Sequence, residues 1–423
     1  MKIQRHIFRA IVCVILTLPL SCSHAIDEVG SDEDFSSLDP TFSVIPFSST
    51  NNALTENVIK ACPLPGGEKE AVTRTTSITA QGVLKQLISR FKSSDIRSYC
   101  GTYMTTDEND QPIKVSGRII VPTNKKVSRV MVVSHFTIGS NAEAPSQTLP
   151  IESIFASQGI AVVIPDYIGF GVTVDRLHPY LCDDLTAKNV ADMYFAALPF
   201  LEFIGCKPQY DDIFLFGYSQ GGAATISVQD YFRYNYPLNI IRLTMAGAGP
   251  YDIATTYDIL IEREEFDFPA AIPMIIQGLD VGENLGLDYA QFYRPELCEH
   301  INEWINSKQY NVGQLNELIG SKRVRSILTA EALDKTNPMT LRLYNAMLHN
   351  SLHDYIPESP TYLFHSMEDN VVPFENSANL RDRLNQNGGA NITYNFGNYG
   401  THSVAFVRFI MSCLNMLEDA GDI

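Results

Sequence analysis

Short β-branched runs recur along the chain with helix-periodic stretches between them, at 127–134, 159–165, 213–216, 240–245, 361–364 and 392–396. These runs are too continuously apolar for strands with one wet face, and strands that alternate with helices are joined by parallel crossovers. The pattern therefore predicts an α/β fold, with a mostly parallel central sheet flanked by helices. Upstream, residues 113–121 alternate apolar and polar positions and stop at Pro122, which predicts a peripheral antiparallel strand, while 73–91 has a helical period. The rhythm breaks between Pro250 and Pro360. Ile301, Trp304 and Ile305 form a helical stripe there, as do Leu341, Tyr344, Leu348 and Leu352, with no buried strand. This predicts a helical cap over 251–356, inserted into a core built from 71–250 and 357–423.

The first residues read differently. Lys2, Arg5 and Arg9 flank or precede an apolar run over 10–20, an export signal over 1–25 that is too short to cross a bilayer. It has two exits. Leu18-Pro19-Leu20-Ser21-Cys22 resembles a bacterial lipobox, with Cys22 as the lipidation site, and Ser23-His24-Ala25 offers ordinary cleavage. Either way the protein is expected to be exported, as a cell-envelope lipoprotein or a secreted or periplasmic protein. A polar tether over 26–70 follows, and the membrane is met only through the lipid anchor.

Composition narrows the classes of partner. With 423 residues, 45% hydrophobic and 19% charged, the chain can bury a large core, and a net charge of −17 repels phosphate backbones, which argues against nucleic-acid binding. Beyond Cys22, six cysteines (Cys62, Cys100, Cys182, Cys206, Cys298 and Cys413) permit disulfides in an oxidising compartment or serve as small buried hydrophobes. Their spacing matches no metal site, and no cofactor is expected.

The chemistry concentrates after one strand. Gly217-Tyr218-Ser219-Gln220-Gly221 directly follows the apolar run at 213–216 and leads into a helix-forming stretch. A strand, a sharp turn and a helix lift a serine hydroxyl into the open, and the glycines leave room for the turn. A serine needs a base, and the base needs an orienting carboxylate. Both follow in chain order: Asp369, with Glu368 as its rival, in the loop after the strand at 361–364, and His402 after the last strand. His135, His178 and His365 are expected to be structural hydrogen-bonding residues. For the anionic oxygen of the tetrahedral intermediate, the backbone N–H of Gln220 supplies one donor and that of Phe136 or Thr137 the other.

This constellation resembles the α/β-hydrolase superfamily, and within it the exported esterases and lipases related to secretory lipases. The resemblance is carried by Glu143-Ala144-Pro145-Ser146, the turn Pro165-Asp166-Tyr167-Ile168-Gly169-Phe170-Gly171 with His178-Pro179-Tyr180 after it, Gly217–Gly222, the Asp369 loop and His402, across nearly all of 115–417. One departure is a bulky Phe136 where such proteins commonly have glycine after the histidine, a change that narrows the space beside the oxyanion loop. The resemblance implies hydrolysis of a small-molecule or lipid ester through an acyl-enzyme, beneath a cap that shapes the pocket. A peptidase of the same superfamily would need a group for the peptide amine, for which Glu262, Glu264 and Glu265 are the acidic candidates. A non-catalytic binding protein on this fold is the reading from another class, and such relatives often lack a triad member.

Overall fold

The computed structural model describes residues 43–44 and 95–423, apart from 128, 208–211, 238–240 and 353–354. The export signal, Cys22, the tether, the helix expected at 73–91 and Cys62 lie outside the described residues.

Among the described residues nine strands form one sheet: β1 (Ser43–Val44), β2 (Ile96–Thr106), β3 (Pro112–Pro122), β4 (Arg129–Ser134), β5 (Ile160–Pro165), β6 (Ile213–Tyr218), β7 (Ile241–Gly247), β8 (Thr361–Ser366) and β9 (Ile392–Gly397). Their spatial order is β1-β2-β3-β5-β4-β6-β7-β8-β9. From β5 to β9 every pairing is parallel, whereas β1, β2 and β3 are antiparallel, as is the β3–β5 junction. All residues of β5, β6 and β8 are buried, as expected of strands covered on both faces.

The helices of the core are α1 (Ser153–Ser157), α2 (Asp183–Phe203), α3 (Gln220–Asn235), α10 (Glu375–Gln386) and α11 (His402–Asp419). Met131, Val133, Phe214, Phe216 and Phe364 turn one sheet face toward α1 and α11. On the other face, Ala246 and Leu363 pack with Ile226 of α3 and Leu380 and Leu384 of α10. At the foot of the sheet, Asp422 binds Arg129 of β4 and Arg242 of β7, and Asp212 binds Arg129.

Between β7 and β8 the chain runs through α4 (Ile253–Glu262), α5 (Ala271–Gly282), α6 (Pro295–Ile301), α7 (Val312–Ile319), α8 (Ala330–Leu333) and α9 (Pro338–His349). A π-helical turn, Asn302–Asn306, continues α6. This insert has its own apolar cluster, which includes Leu260, Ile272, Ile276, Phe292 and Leu343 and which Tyr180, Leu181 and Cys182 join from the core. Glycine makes the junction close: a Cβ on Gly278 of α5 would lie 2.4 Å from Tyr180 N. Cys182 Sγ donates to the Gly278 carbonyl at 3.2 Å.

Several sequence expectations shift. The stripe Leu341, Tyr344, Leu348 and Leu352 is not the buried face of α9, because Leu341 is 46% and Leu348 41% exposed. Leu343, Ala346 and Met347, at i, i+3 and i+4, are buried instead. Two apolar stripes coexist in that sequence, and packing against the insert selects the one that meets a partner. The antiparallel strand β3 is internal rather than peripheral, since β2 covers its outer edge. Among the described residues no disulfide joins two cysteines, and Cys100, Cys182 and Cys413 are buried. Among the described residues, no helix is long and apolar enough to cross a membrane.

Candidate active site

The site lies at the C-terminal ends of the parallel strands, where loops leave the sheet in different directions. Ser219 forms the turn between β6 and α3 with φ +59° and ψ −127°, a conformation that costs about 1–3 kcal/mol in a residue with a side chain. The surrounding backbone enforces it. The amide of Ser219 donates to Gly247 O of β7 at 2.9 Å. A Cβ on Gly221 would come within 2.0 Å of Ser134 O, and one on Gly222 within 2.3 Å of Gly247 O. The start of α3 therefore sits against the ends of β4 and β7 only because these positions are glycine.

Asp369 follows β8 and its side chain is fully buried. Its Oδ1 accepts the amides of Val371 and Val372, both at 2.8 Å. Its Oδ2 lies 2.6 Å from His402 Nδ1 and 3.4 Å from His365 Nε2. Burial alone would raise the pKa of this carboxyl, but the charge of His402 and hydrogen bonds from both imidazoles outweigh it and hold the group well below the usual carboxylate range. Glu368 is exposed and accepts Gly400 N at 2.8 Å, which fastens the histidine loop without touching the imidazole.

His402 is the first residue of α11. Its backbone N–H donates to Asn370 Oδ1 at 3.2 Å, and its carbonyl accepts the Tyr218 hydroxyl at 2.8 Å. The rings of Tyr218 and His402 are 4.9 Å apart. The residue just before Ser219 thus fixes the backbone of the histidine, while Asp369 takes Nδ1 and leaves Nε2 as the second ring nitrogen. Asn370 also reaches the insert, through Asp267 Oδ2 at 2.9 Å and Arg263 at 3.2 Å. Sequence reasoning passed over Asn370, whose only signal is its place beside the acid.

Gln220 opens α3, so its N–H has no partner within the helix. Among the described residues the amides of Phe136 and Thr137 likewise make no hydrogen bond. The Phe136 ring packs edge-on against Phe406 of α11 at 5.5 Å, directed toward the helix that begins with His402. Thr137 Oγ1 lies 2.8 Å from the Tyr180 hydroxyl.

Of the other histidines, His135, His178 and His365 make hydrogen bonds beside this machinery. His135 stacks on Tyr167 at 3.9 Å and contacts the carbonyls of Phe136 and Asp166. Tyr167, at φ +65°, belongs to the turn that starts at Pro165. His178 Nδ1 donates to Ile168 O at 2.8 Å, and its Nε2 lies 3.0 Å from Gln220 Nε2. Burial pushes its pKa down to about 3, so the neutral ring accepts from the Gln220 amide. His365, fully buried, places Nδ1 2.7 Å from Ser377 Oγ and Nε2 between Val372 O at 3.2 Å and Asp369 Oδ2 at 3.4 Å. The sequence offers no periodic or motif signal for either contact, because each depends on which loops meet.

The fold is shared with solved enzymes. The rice cell wall degrading esterase LipA from Xanthomonas oryzae aligns with a TM-score of 0.68 at 21% identity, over 81% of this chain and 95% of that one. A protein from Legionella pneumophila aligns at 0.72 with 19% identity, over 80% and 94%. Candida antarctica lipase A aligns at 0.55 with 16% identity, over 73% of each chain. No curated protein sequence matches the chain. The secretory lipase family model, however, matches residues 146–418, a span that holds the elbow, the acid loop and the histidine. By that match the chain belongs to the secretory lipase family, exported hydrolases that act on esters.

Proposed function

We propose that this protein is a serine hydrolase that cleaves carboxylic esters through an acyl-enzyme, with Ser219 as nucleophile, His402 as base and Asp369 as orienting acid. As Oγ of Ser219 attacks the ester carbonyl, Nε2 of His402 takes its proton, and the imidazolium is stabilised by ionised Asp369 through Nδ1. The developing oxyanion accepts hydrogen bonds from Gln220 N–H and from Phe136 or Thr137 N–H. His402 then returns the proton to the departing alkoxide, which leaves as the alcohol. Water, deprotonated by the same imidazole, attacks the acyl carbonyl and frees the acid and Ser219. The reading rests above all on the 2.6 Å contact between His402 Nδ1 and Asp369 Oδ2, with the His402 carbonyl held by the hydroxyl of Tyr218, the residue before Ser219.

The insert supports this chemistry as a roof. Ser219 is 8% and His402 5% exposed, and Gln220 lines a small cavity with Ile253 and Asn350. Two of the three acids considered for a peptide amine are engaged elsewhere, Glu262 with Arg325 and Glu264 with Arg323 on the exposed face of the insert. That favours an ester over a peptide, and the complete set of reacting groups favours an enzyme over a retired scaffold. Export is proposed to end either in lipidation of Cys22 or in cleavage after Ala25. Ser219→Ala should lower turnover of an activated ester by about 10³-fold or more with an unchanged circular dichroism spectrum. It should also abolish labelling by a fluorophosphonate; wild-type turnover in that variant excludes the mechanism.

A further inference from the structure

The amides proposed to hold the oxyanion belong to segments far apart in the chain, and a third segment, His178-Pro179-Tyr180, touches both. His178 Nε2 lies 3.0 Å from Gln220 Nε2. The Nδ1–H of the same ring is spent on Ile168 O at 2.8 Å, so Nε2 carries the lone pair and accepts from the Gln220 amide. Two residues on, the Tyr180 hydroxyl lies 2.8 Å from Thr137 Oγ1. One short loop thus grips the residue after the nucleophile and the oxyanion loop facing it, with Pro179 fixing φ between the two grips.

The gripping loop is itself held. The His178 ring packs on those of Tyr167 and Phe170, with centroids 5.9 and 5.1 Å away. Tyr167 stacks in turn on His135 and donates its hydroxyl to His135 O at 3.3 Å. A Cβ on Gly169 would come within 2.6 Å of His178 Cα, and one on Gly278 within 2.4 Å of Tyr180 N, so the Pro165 turn and the insert both pack directly on the loop. The elbow meets the oxyanion loop at its base, where a Cβ on Gly221 would lie 2.8 Å from His135 O; Tyr180 holds it two residues further on. Donors aimed at a developing charge are effective only while their surroundings keep them within about 0.5 Å of place.

We propose that His178 and Tyr180 are positioning residues that set the separation of the two oxyanion donors, His178 through Gln220 and Tyr180 through Thr137. The proposal rests on the ester-hydrolase reading, since it needs an oxyanion to be held. Removing an oxyanion donor outright costs about 10²–10³-fold in kcat, so a donor displaced rather than removed should cost about 10-fold, with KM nearly unchanged. Gln220→Met and Thr137→Val keep both backbone amides and remove one tie each, and His178→Phe and Tyr180→Phe remove the same ties from the other end. Turnover of an activated ester is counted per site titrated by a fluorophosphonate, which leaves any unfolded fraction out.

Each variant should lose about 10-fold in kcat, and the two ends of one tie combined should lose no more than either alone. His178→Gln, which offers an amide oxygen in place of Nε2, should recover part of the loss; if His178→Phe does not fold, Gln220→Met tests that tie. A trifluoromethyl ketone gives a second readout: Ser219 Oγ adds to its carbonyl carbon, the carbonyl electron pair becomes the hemiketal oxyanion, and the serine proton passes to His402. Its inhibition constant should rise about 10-fold in the same variants. Wild-type kcat and ketone affinity in the variants, a loss confined to KM, or fully additive losses within a tie overturns the proposal. Ester turnover that persists in Ser219→Ala brings down the hydrolase reading and this proposal with it. Variants equal to wild type, in an enzyme that Ser219→Ala silences, bring down this proposal alone.

Discussion

The two oxygens of Asp369 have separate tasks, Oδ1 taking two backbone amides and Oδ2 facing two imidazoles. An orienting acid must point one lone pair at the base and keep its charge, and the amides with His365 restrict its rotation while favouring ionisation. In the proposed mechanism His365 is thus a positioning residue that acts through the acid. Hydrogen bonds to a charged group contribute about 1.5–3 kcal/mol. His365→Phe should therefore lower kcat for an activated ester by about 10-fold or more with KM nearly unchanged. Gln at the same position, which restores a donor, should recover part of that loss. Equal kinetics for His365→Phe and wild type, measured at saturating ester, would show that the amides alone suffice.

At the scale of elements, the inner parallel strands were legible because β5, β6 and β8 are sealed on both faces and so appear as short apolar runs between turn signals. The elbow and the order serine, acid, histidine were legible for the same reason, since those residues stand at the ends of such runs. β2 was not: Ser98, Gly101, Thr102, Thr105 and Thr106 give it the composition of a loop. Its partner β3 and the core beneath it make it a strand, with Ile96, Tyr99 and Tyr103 turned inward. The buried face of α9 was misread because local periodicity allowed two answers. Contacts such as Asn370 with His402 and Asp267, or His178 with Gln220, join segments far apart in the chain and leave no local pattern to read.

For the whole molecule, pH acts through buried groups other than the proposed triad. Glu152 is fully buried before α1, and burial raises its pKa from 4.5 to about 7. A carboxyl with a raised folded-state pKa adds no penalty in acid; between these values the unfolded chain releases the proton first, so stability falls as pH rises, and above about 7 the loss is complete. At 1.36 kcal/mol per unit this amounts to about 3 kcal/mol. Glu152→Gln should therefore raise the urea-unfolding free energy at pH 8 by about that amount and change it little at pH 4; an equal gain at both would place the effect in packing. His178 works from the other side. Its depressed pKa leaves it neutral when folded, so its share of stability is intact above the ordinary imidazole value of about 6.5 and declines as pH falls toward about 3.

The bond from Cys182 to Gly278 gives this molecule a chemical clock. The thiol is 2% exposed, and burial pushes its pKa well above the ordinary value. Alkylation needs an accessible thiolate, so a reagent reaches this sulfur only while α5 is lifted from the loop beneath it. Iodoacetamide should therefore modify half-buried Cys298 first and Cys182 at the rate of that excursion, timed by peptide mass spectrometry. Comparable rates at the two cysteines would mean that α5 does not stay seated.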